Sequence, residues 1–234
     1  MMTPDRSVGE TLSDVVLPRT STSQQVAQAI RGQILRGEIA PGARLSDDTI
    51  ASALGVSRNS VREGLQILVA DGLVQRNLHR GAVVTELTLE ELADVYQARR
   101  ILELDGVRAA RRAPAEWMET MRRLLGEMRA AADSGDLTSL LDVDLRFHEA
   151  IVEAVGSRRV SQFYRNVQTE IRLARAWRGE RPQPSVFYDR HREIVQALDD
   201  GEFDRAESLV ATLIDDGEGR IRKGFAEAGD ELSP

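Results

Sequence analysis

The sequence contains no cysteine among its 234 residues, only one lysine and only three histidines. The missing cysteine excludes disulfide bonds and thiolate chemistry and suits a reducing cytosol, so we expect a cytoplasmic protein. No apolar run approaches the roughly 20 residues that a membrane-spanning helix needs. The N-terminus has no apolar segment behind a basic start. We therefore expect neither a secretory signal nor a membrane partner.

Charge is spread unevenly along this acidic chain, whose formal net charge is −7. Residues 22–86 carry 7 basic and 6 acidic side chains, whereas residues 87–234 carry 22 basic and 29 acidic ones. A protein that binds DNA needs a local basic surface that displaces phosphate counterions, not a positive total charge. Only the first third of the chain could supply such a surface.

The first third has the pattern of a winged helix-turn-helix. Residues 1–21 show no sustained period and are expected to form a flexible tail. Apolar residues then recur at helical spacing, Ser46 and Ser57 are placed as helix N-caps, and Gly55 leaves only a tight turn between the second and third helices. Two short strands, LVQRN and AVVTE, follow. The sequence predicts three helices and a β-hairpin wing within residues 22–86.

The third helix separates a buried stripe from a polar edge. Val61, Leu65 and Leu68 fall at i, i+4 and i+7 and predict the buried face. Arg58 and Arg62 lie on another side, where a solvated surface is the alternative to DNA contact. The tight turn before this helix and the basic hairpin after it favour DNA recognition in the major groove. The expected DNA-contacting residues here are Ser57, Arg58, Asn59, Ser60 and Arg62, and in the wing His79, Arg80 and Gly81.

The second region is predicted to be entirely helical. Thr88 and Glu91 form a capping box at its start, and no strand pattern follows Glu86. Breaks at Gly and Pro positions divide residues 88–226 into about six helices, and residues 227–234 are expected to form a tail. The fold class is therefore mainly α, with an N-terminal winged helix-turn-helix followed by an all-α bundle.

The first region closely resembles the DNA-binding domain of the GntR family of bacterial transcription regulators. The matching stretches are IAPGARL (39–45), LGVSR (54–58), VREGL (61–65), DGLV (71–74) and RGA (80–82). Arg44, within the first stretch, joins the residues expected to contact DNA. Gly64 departs from the family, which usually has Ala there, and glycine inside a helix costs about 0.5–1 kcal/mol relative to Ala.

The second region resembles the FCD domain, the helical effector-binding domain of the FadR subgroup. The matches are sparser but occur in order: YxxRxxLE (96–103), DxxFH (144–148) and HRxI (191–194), with Ala197 after them. The resemblance implies a homodimer on a palindromic DNA operator and a small effector, often a carboxylate, that alters DNA affinity. The family also implies a divalent metal held by one Asp and three His.

That metal pattern is only partly present. Asp144 and His148 match the family's first two ligands and share a helix face, and His191 matches the next. Leu213 stands where the family's third His is expected. One Asp and two His can still hold Zn²⁺ or Ni²⁺ when water or an effector carboxylate completes the coordination. A hydrogen-bonded polar pocket without metal is the alternative.

The effector site is expected to include Arg99, Asp144, His148 and His191. The planar fork of Arg99 suits a carboxylate, but an ion pair with Glu103 at i+4 is equally compatible with the sequence. Arg172 and Arg175 are weaker candidates for the same role.

The leading hypothesis is an effector-responsive transcription regulator, most simply a repressor, without enzymatic activity. Two alternatives stay open. One is a constitutive DNA-binding protein whose helical domain serves only for dimerisation, an alternative that the absent third His favours. The other is a helical metalloenzyme with an appended DNA-binding module, although the sequence has no HExxH, GxSxG or phosphate-loop motif.

Overall fold

A computed structural model describes residues 21–78, 81–178 and 183–231. The first domain contains three helices and three short strands. Their bounds are α1 Thr22–Leu35, β1 Arg44–Leu45, α2 Asp47–Leu54, α3 Arg58–Ala70, β2 Val74–Asn77 and β3 Gly81–Val84. This arrangement is a winged helix-turn-helix, as the sequence predicted.

Side-chain caps set the helix starts in this domain. Ser46 accepts a hydrogen bond from the backbone N–H of Thr49, and Ser57 accepts one from that of Ser60. Gly55 has a φ of 65°, a left-handed conformation that glycine adopts without strain. The chain therefore turns sharply after α2, and α3 starts after three intervening residues.

The wing is a three-stranded antiparallel sheet in the order β1-β3-β2. Val74 pairs with Val84 in the hairpin, and Arg44 pairs with Val83 across the other edge of β3. The sequence predicted the hairpin but not β1. A strand of only two residues is too short to show an alternating pattern. Its position depends instead on pairing with the edge of β3.

The first core forms where α1 packs across α3. Val61, Leu65 and Leu68 are completely buried, which confirms the predicted stripe. Gly64 lies at the crossing, where a Cβ would be 2.9 Å from the carbonyl oxygen of Ser23. The departure from the usual Ala therefore has a packing reason, since α1 approaches α3 too closely here for a methyl group.

The second domain contains six helices in the described residues, together with a 3₁₀ turn at Ala110–Arg112. They are α4 Leu89–Ala109, α5 Ala115–Ser134, α6 Leu137–Glu153, α7 Arg158–Arg178, α8 Pro184–Asp199 and α9 Phe203–Glu231. The Thr88–Glu91 capping box is present at the start of α4. Helix α9 continues to Glu231, beyond the boundary at residue 226 that the sequence suggested. Among the residues described, no helix combines the length and apolar character needed to cross a membrane.

The two domains share buried residues. Leu173 of α7 is completely buried and belongs to the hydrophobic core of the winged helix, although α7 itself lies in the helical domain. Leu87, just before α4, belongs to the core of the helical domain. Between the domains, Thr85 donates its hydroxyl to the carbonyl oxygen of Gly72 at 2.6 Å. The connection is therefore short and held at both ends.

Candidate functional site

Helix α3 presents a polar edge to solvent. The side chains of Arg58 and Arg62 are 71% and 56% exposed, and Asn59 is exposed beside them. Because Val61 and Leu65 anchor the opposite face in the core, this edge is fixed outward. A helix held in this way can enter the DNA major groove with its N-terminal residues foremost.

Several of these polar groups already have partners within the protein. The Ser57 hydroxyl caps α3 and lies 2.9 Å from the Ser60 hydroxyl. The Asn59 amide donates to Oε1 of Glu63 at 2.8 Å. The Ser57 cap was expected from the sequence, whereas the Asn59–Glu63 and Ser57–Ser60 side-chain contacts were not. Bound DNA would have to compete with these intramolecular hydrogen bonds for the same side chains.

The wing is described only in part. Gly81 begins β3 with a φ of 74°, and Leu78 at the end of the hairpin is fully exposed. His79 and Arg80, both expected to contact DNA, lie outside the described residues. Arg44 is exposed on β1, beside the hairpin.

The helical domain encloses a cluster of buried polar side chains. Asp144 and His148 on α6 and His191 on α8 are each at most 1% exposed. Their nearest ligand atoms all lie within 4.8 Å of one another. Oδ1 of Asp144 is 2.9 Å from Nε2 of His191 and 3.3 Å from Nε2 of His148. The three residues singled out in the sequence therefore converge.

The other ring nitrogen of each histidine is anchored. Nδ1 of His148 lies 2.6 Å from Oε2 of Glu103, and Nδ1 of His191 lies 2.8 Å from the carbonyl oxygen of Phe187. Glu103 also accepts hydrogen bonds from Arg99, at 2.6 Å, and from the hydroxyl of Tyr164. These contacts fix both imidazole rings so that their Nε2 atoms face Asp144.

Two arginines lie in this cluster, and their partners differ. Arg99 is 3% exposed and forms the i+4 ion pair with Glu103 that the sequence left open. Arg175 of α7, the weaker candidate, lies 2.5 Å from Oδ2 of Asp144. Sequence reasoning gave no role to Tyr164. A lone tyrosine on α7 gives no signal that it will meet α4.

Burial and neighbouring charges perturb the ionisation of the cluster. Burial alone raises the pKa of Glu103, but Arg99 and His148 outweigh it and bring that pKa to about 2. Burial likewise opposes ionisation of Asp144, yet Arg175 and the histidines hold its pKa well below the usual range. Burial lowers the pKa of His148, but Glu103 and Asp144 raise it above the ordinary value. Both carboxylates are therefore ionised at neutral pH.

The donor set fits a divalent metal with three protein ligands. Histidines that bind metals usually donate their other ring N–H to a carboxylate or carbonyl, as His148 and His191 are placed to do. Nε2 of His148 is buried and makes no hydrogen bond within the described residues, although Asp144 is 3.3 Å away. Leu213 is buried on α9 and offers no ligand atom. A fourth position would have to be filled by water or a small molecule.

Two family models match this chain, one in each part. Residues 22–84 match the model described as "Bacterial regulatory proteins, gntR family", and residues 94–216 match the FCD domain. An uncharacterized HTH-type transcriptional regulator in an unstable DNA locus of Streptomyces ambofaciens is 32% identical over 186 residues, 78% of each chain. The gluconate operon transcriptional repressor of Bacillus subtilis is 30% identical over 153 residues, 65% of this chain and 63% of that protein.

A solved structure has the same fold. The putative transcriptional regulator GntR from Rhodococcus sp. RHA1 aligns with a TM-score of 0.75 and 32% identity, over 87% of this chain and 99% of that one. A winged helix joined to a helical bundle with a buried polar site defines the class as a DNA-binding transcriptional regulator. Within that class, the chain belongs to the GntR family and carries an FCD domain.

Proposed function

We propose that the protein is a dimeric transcriptional repressor whose affinity for its operator is controlled by a small carboxylate bound at the buried cluster of the helical domain. The observation that carries this proposal is the convergence of Asp144, His148 and His191 beside Arg175. The relative from Bacillus subtilis is named for a gluconate operon, and gluconate bears a carboxylate.

The cluster is a poor way to stabilise a helical bundle. Taking two carboxylates and two guanidinium groups out of water costs several kcal/mol per ion, which the ion pairs repay only in part. Apolar side chains of similar volume would serve the core as well or better. Strongly perturbed carboxyl groups inside a domain are also typical of functional sites. We therefore assign the cluster to ligand binding.

Each side chain has a distinct role in this proposal. Asp144, His148 and His191 hold a divalent metal, Zn²⁺ or Ni²⁺. When bound, the metal supplies a positive charge and an open coordination position for a carboxylate. Glu103 and Arg99 hold the His148 ring in place, whereas Arg175 faces the effector side of Asp144 and attracts the anion. Leu213 leaves the fourth position to the effector.

The DNA-binding role belongs to α3 and the wing. Arg58 and Arg62 face the major groove, where an arginine can donate two hydrogen bonds to guanine, and Asn59 can pair with adenine in the same manner. Two copies related by a dyad would read a palindromic operator.

The test of the effector site combines metal analysis with calorimetry on the full-length protein. Purified protein is assayed for bound metal, then titrated with gluconate and other small sugar acids before and after chelator treatment. We expect carboxylate binding that weakens at least tenfold when the metal is removed, because metal and effector support each other. His191→Ala should abolish the response, and Leu213→His should tighten metal binding.

Arg172→Gln is the matched control for Arg175→Gln, because both residues lie on α7 but Arg172 pairs with Asp142 at the surface. Only Arg175→Gln should reduce effector affinity. A wild-type protein without metal, together with a His191→Ala variant of unchanged stability and effector response, would show that this cluster is not the sensor.

A further inference from the structure

Both exposed arginines of the recognition helix α3 have carboxylate partners on α2. Nε of Arg58 lies 2.6 Å from Oδ1 of Asp48, and Nε of Arg62 lies 3.7 Å from Oδ2 of Asp47. The two aspartates occupy the first turn of α2, and the sharp turn at Gly55 brings that turn beside the start of α3. Two of the six acidic residues among residues 22–86 therefore lie where a DNA-binding surface would be expected to exclude negative charge.

Folding stability does not explain this pairing. The side chains of Arg58 and Asp48 are 71% and 62% exposed, and ion pairs at such exposure contribute little to stability. Both aspartates interact favourably with the positive N-terminal end of the α2 dipole, but this interaction does not require an arginine nearby. The pairs also oppose DNA binding in a simple electrostatic sense, because each carboxylate repels the phosphate backbone.

The geometry gives the pairs a different consequence. In both pairs the nitrogen nearest the carboxylate is Nε, at the inner side of the guanidinium group. The outer Nη groups carry four of the five N–H donors, and they can reach the two acceptors of a guanine edge. An arginine with a carboxylate beside Nε is therefore partly neutralised on its inner side, yet its Nη groups can still donate to a base.

Neutralisation affects phosphate and base contacts unequally. Attraction to phosphate depends on the full positive charge and on the counterions that the contact releases. Hydrogen bonds to the neutral O6 and N7 of guanine depend mainly on donor geometry. An arginine paired with a carboxylate therefore loses more of its attraction to phosphate than of its hydrogen bonding to guanine.

From this we infer that Asp47 and Asp48 are specificity-positioning residues, which hold Arg62 and Arg58 for base reading and suppress their capture of phosphate. The inference rests on the proposed docking of α3 in the major groove. It predicts that removing the two carboxylates increases affinity for DNA of any sequence and reduces discrimination between sequences.

The experiment compares the wild type with Asp47→Asn/Asp48→Asn in the full-length protein. Selection from random duplexes first defines the preferred sequence of the wild type. Fluorescence anisotropy then measures binding to that duplex and to a scrambled one between about 50 and 200 mM salt. For the scrambled duplex we expect about tenfold tighter binding and a log–log salt slope steeper by about 0.9 for each arginine released. The ratio of specific to non-specific affinity should fall.

The matched control is Glu90→Gln/Glu116→Gln, which removes the same charge from exposed first turns of α4 and α5. It should leave the salt slope and the affinity ratio at wild-type values. Asp48→Glu retains the charge and should restore discrimination relative to Asp48→Asn. Circular dichroism checks folding, and the two single Asn variants replace the double variant if it does not fold.

Different outcomes separate this inference from the proposed docking. If the wild type selects a sequence but the Asn variants keep its salt slope and affinity ratio, only the role of the aspartates is wrong. The same holds if the Asn variants lose specific and non-specific affinity together. If the wild type selects no sequence, the docking of α3 and this inference both fail.

Discussion

Gly106 is the residue that lets α4 approach α6 closely enough to build the buried cluster. A Cβ at this position would clash with the carbonyl oxygen of Ile151. Gly106 lies three residues after Glu103, and Ile151 lies three residues after His148, so the close approach is one turn from the hydrogen bond that joins those two side chains. A larger residue at 106 would separate the helices at the point where Glu103 must meet His148.

Replacing Gly106 by alanine should therefore destabilise the protein by about 1–3 kcal/mol, since overpacking forces backbone shifts that outweigh the gain in helix propensity. Gly126 on α5 is the matched control, because a Cβ there meets nothing within 4 Å. Gly126→Ala should stabilise by about 0.5–1 kcal/mol. Chemical denaturation measures the free energy of unfolding of both variants, which should change in opposite directions. A Gly106→Ala protein as stable as the wild type would contradict the close approach of α4 and α6.

The sequence indicated part of the cluster at the residue scale. Asp144 and His148 share a helix face by their spacing alone, and the family pattern placed His191 with them. Arg175 was only one of two weaker candidates, and neither its contact with Asp144 nor the role of Tyr164 followed, because both depend on where α7 crosses α4 and α6. That crossing is a tertiary property, and neither side chain carries a local pattern that reveals it.

Helix α7 is the element that both domains share. Tyr164 donates to Glu103 and Arg175 contacts Asp144, so α7 forms one wall of the buried cluster. On the same helix Leu173 is buried in the core of the winged helix. A shift of α7 caused by a ligand at Arg175 would therefore move a residue that supports the DNA-binding domain.

Leu173→Ala should lower the free energy of unfolding by about 2–5 kcal/mol and should also reduce the effect of the carboxylate effector on DNA affinity. Leu140→Ala is the control, because Leu140 is equally buried but lies in the core of the helical domain. It should cost similar stability and preserve the effector response. DNA titrations with and without effector measure both variants, and a full response in Leu173→Ala would exclude α7 as the coupling element.

Elements with strong end signals were predictable from sequence. Ser46, Ser57 and Thr88 each cap the helix expected to follow them. Strand β1 was not predictable, because it exists only through pairing with β3. The ion pairs between α2 and α3 were likewise inaccessible, since they depend on the angle between two helices and not on either helix alone.

At the scale of the whole molecule, the helical domain leaves large apolar side chains exposed on two neighbouring helices. Ile101 on α4 is 61% exposed, and Phe163 on α7 is 55% exposed. Each is next in sequence to a residue of the apolar cluster between α4 and α7, namely Leu102 and Tyr164. This surface is our candidate interface for the proposed dimer, because a second copy would cover it with the same apolar residues.

Ile101→Arg/Phe163→Arg should convert the proposed dimer to a monomer, because a buried unpaired guanidinium group opposes association. Light scattering of the full-length protein measures the mass. Val186→Arg adds a charge at another exposed apolar position, on α8, and should leave the dimer intact. The full chain is preferred to a fragment, because removing the winged helix would expose Leu173. A double variant that remains dimeric would place the interface elsewhere.

The short connection between β3 and α4 has a consequence for the DNA itself. Thr85 is hydrogen-bonded to the winged helix, and Leu87 is buried in the core of the helical domain. Little free chain therefore remains to let the winged helix rotate relative to the helical domain. In the proposed dimer, the two winged helices would therefore reach only half-sites that lie on the same side of the duplex. Inserting about five base pairs between the half-sites rotates one of them by half a helical turn to the opposite side of the duplex. The second winged helix could then no longer contact its half-site.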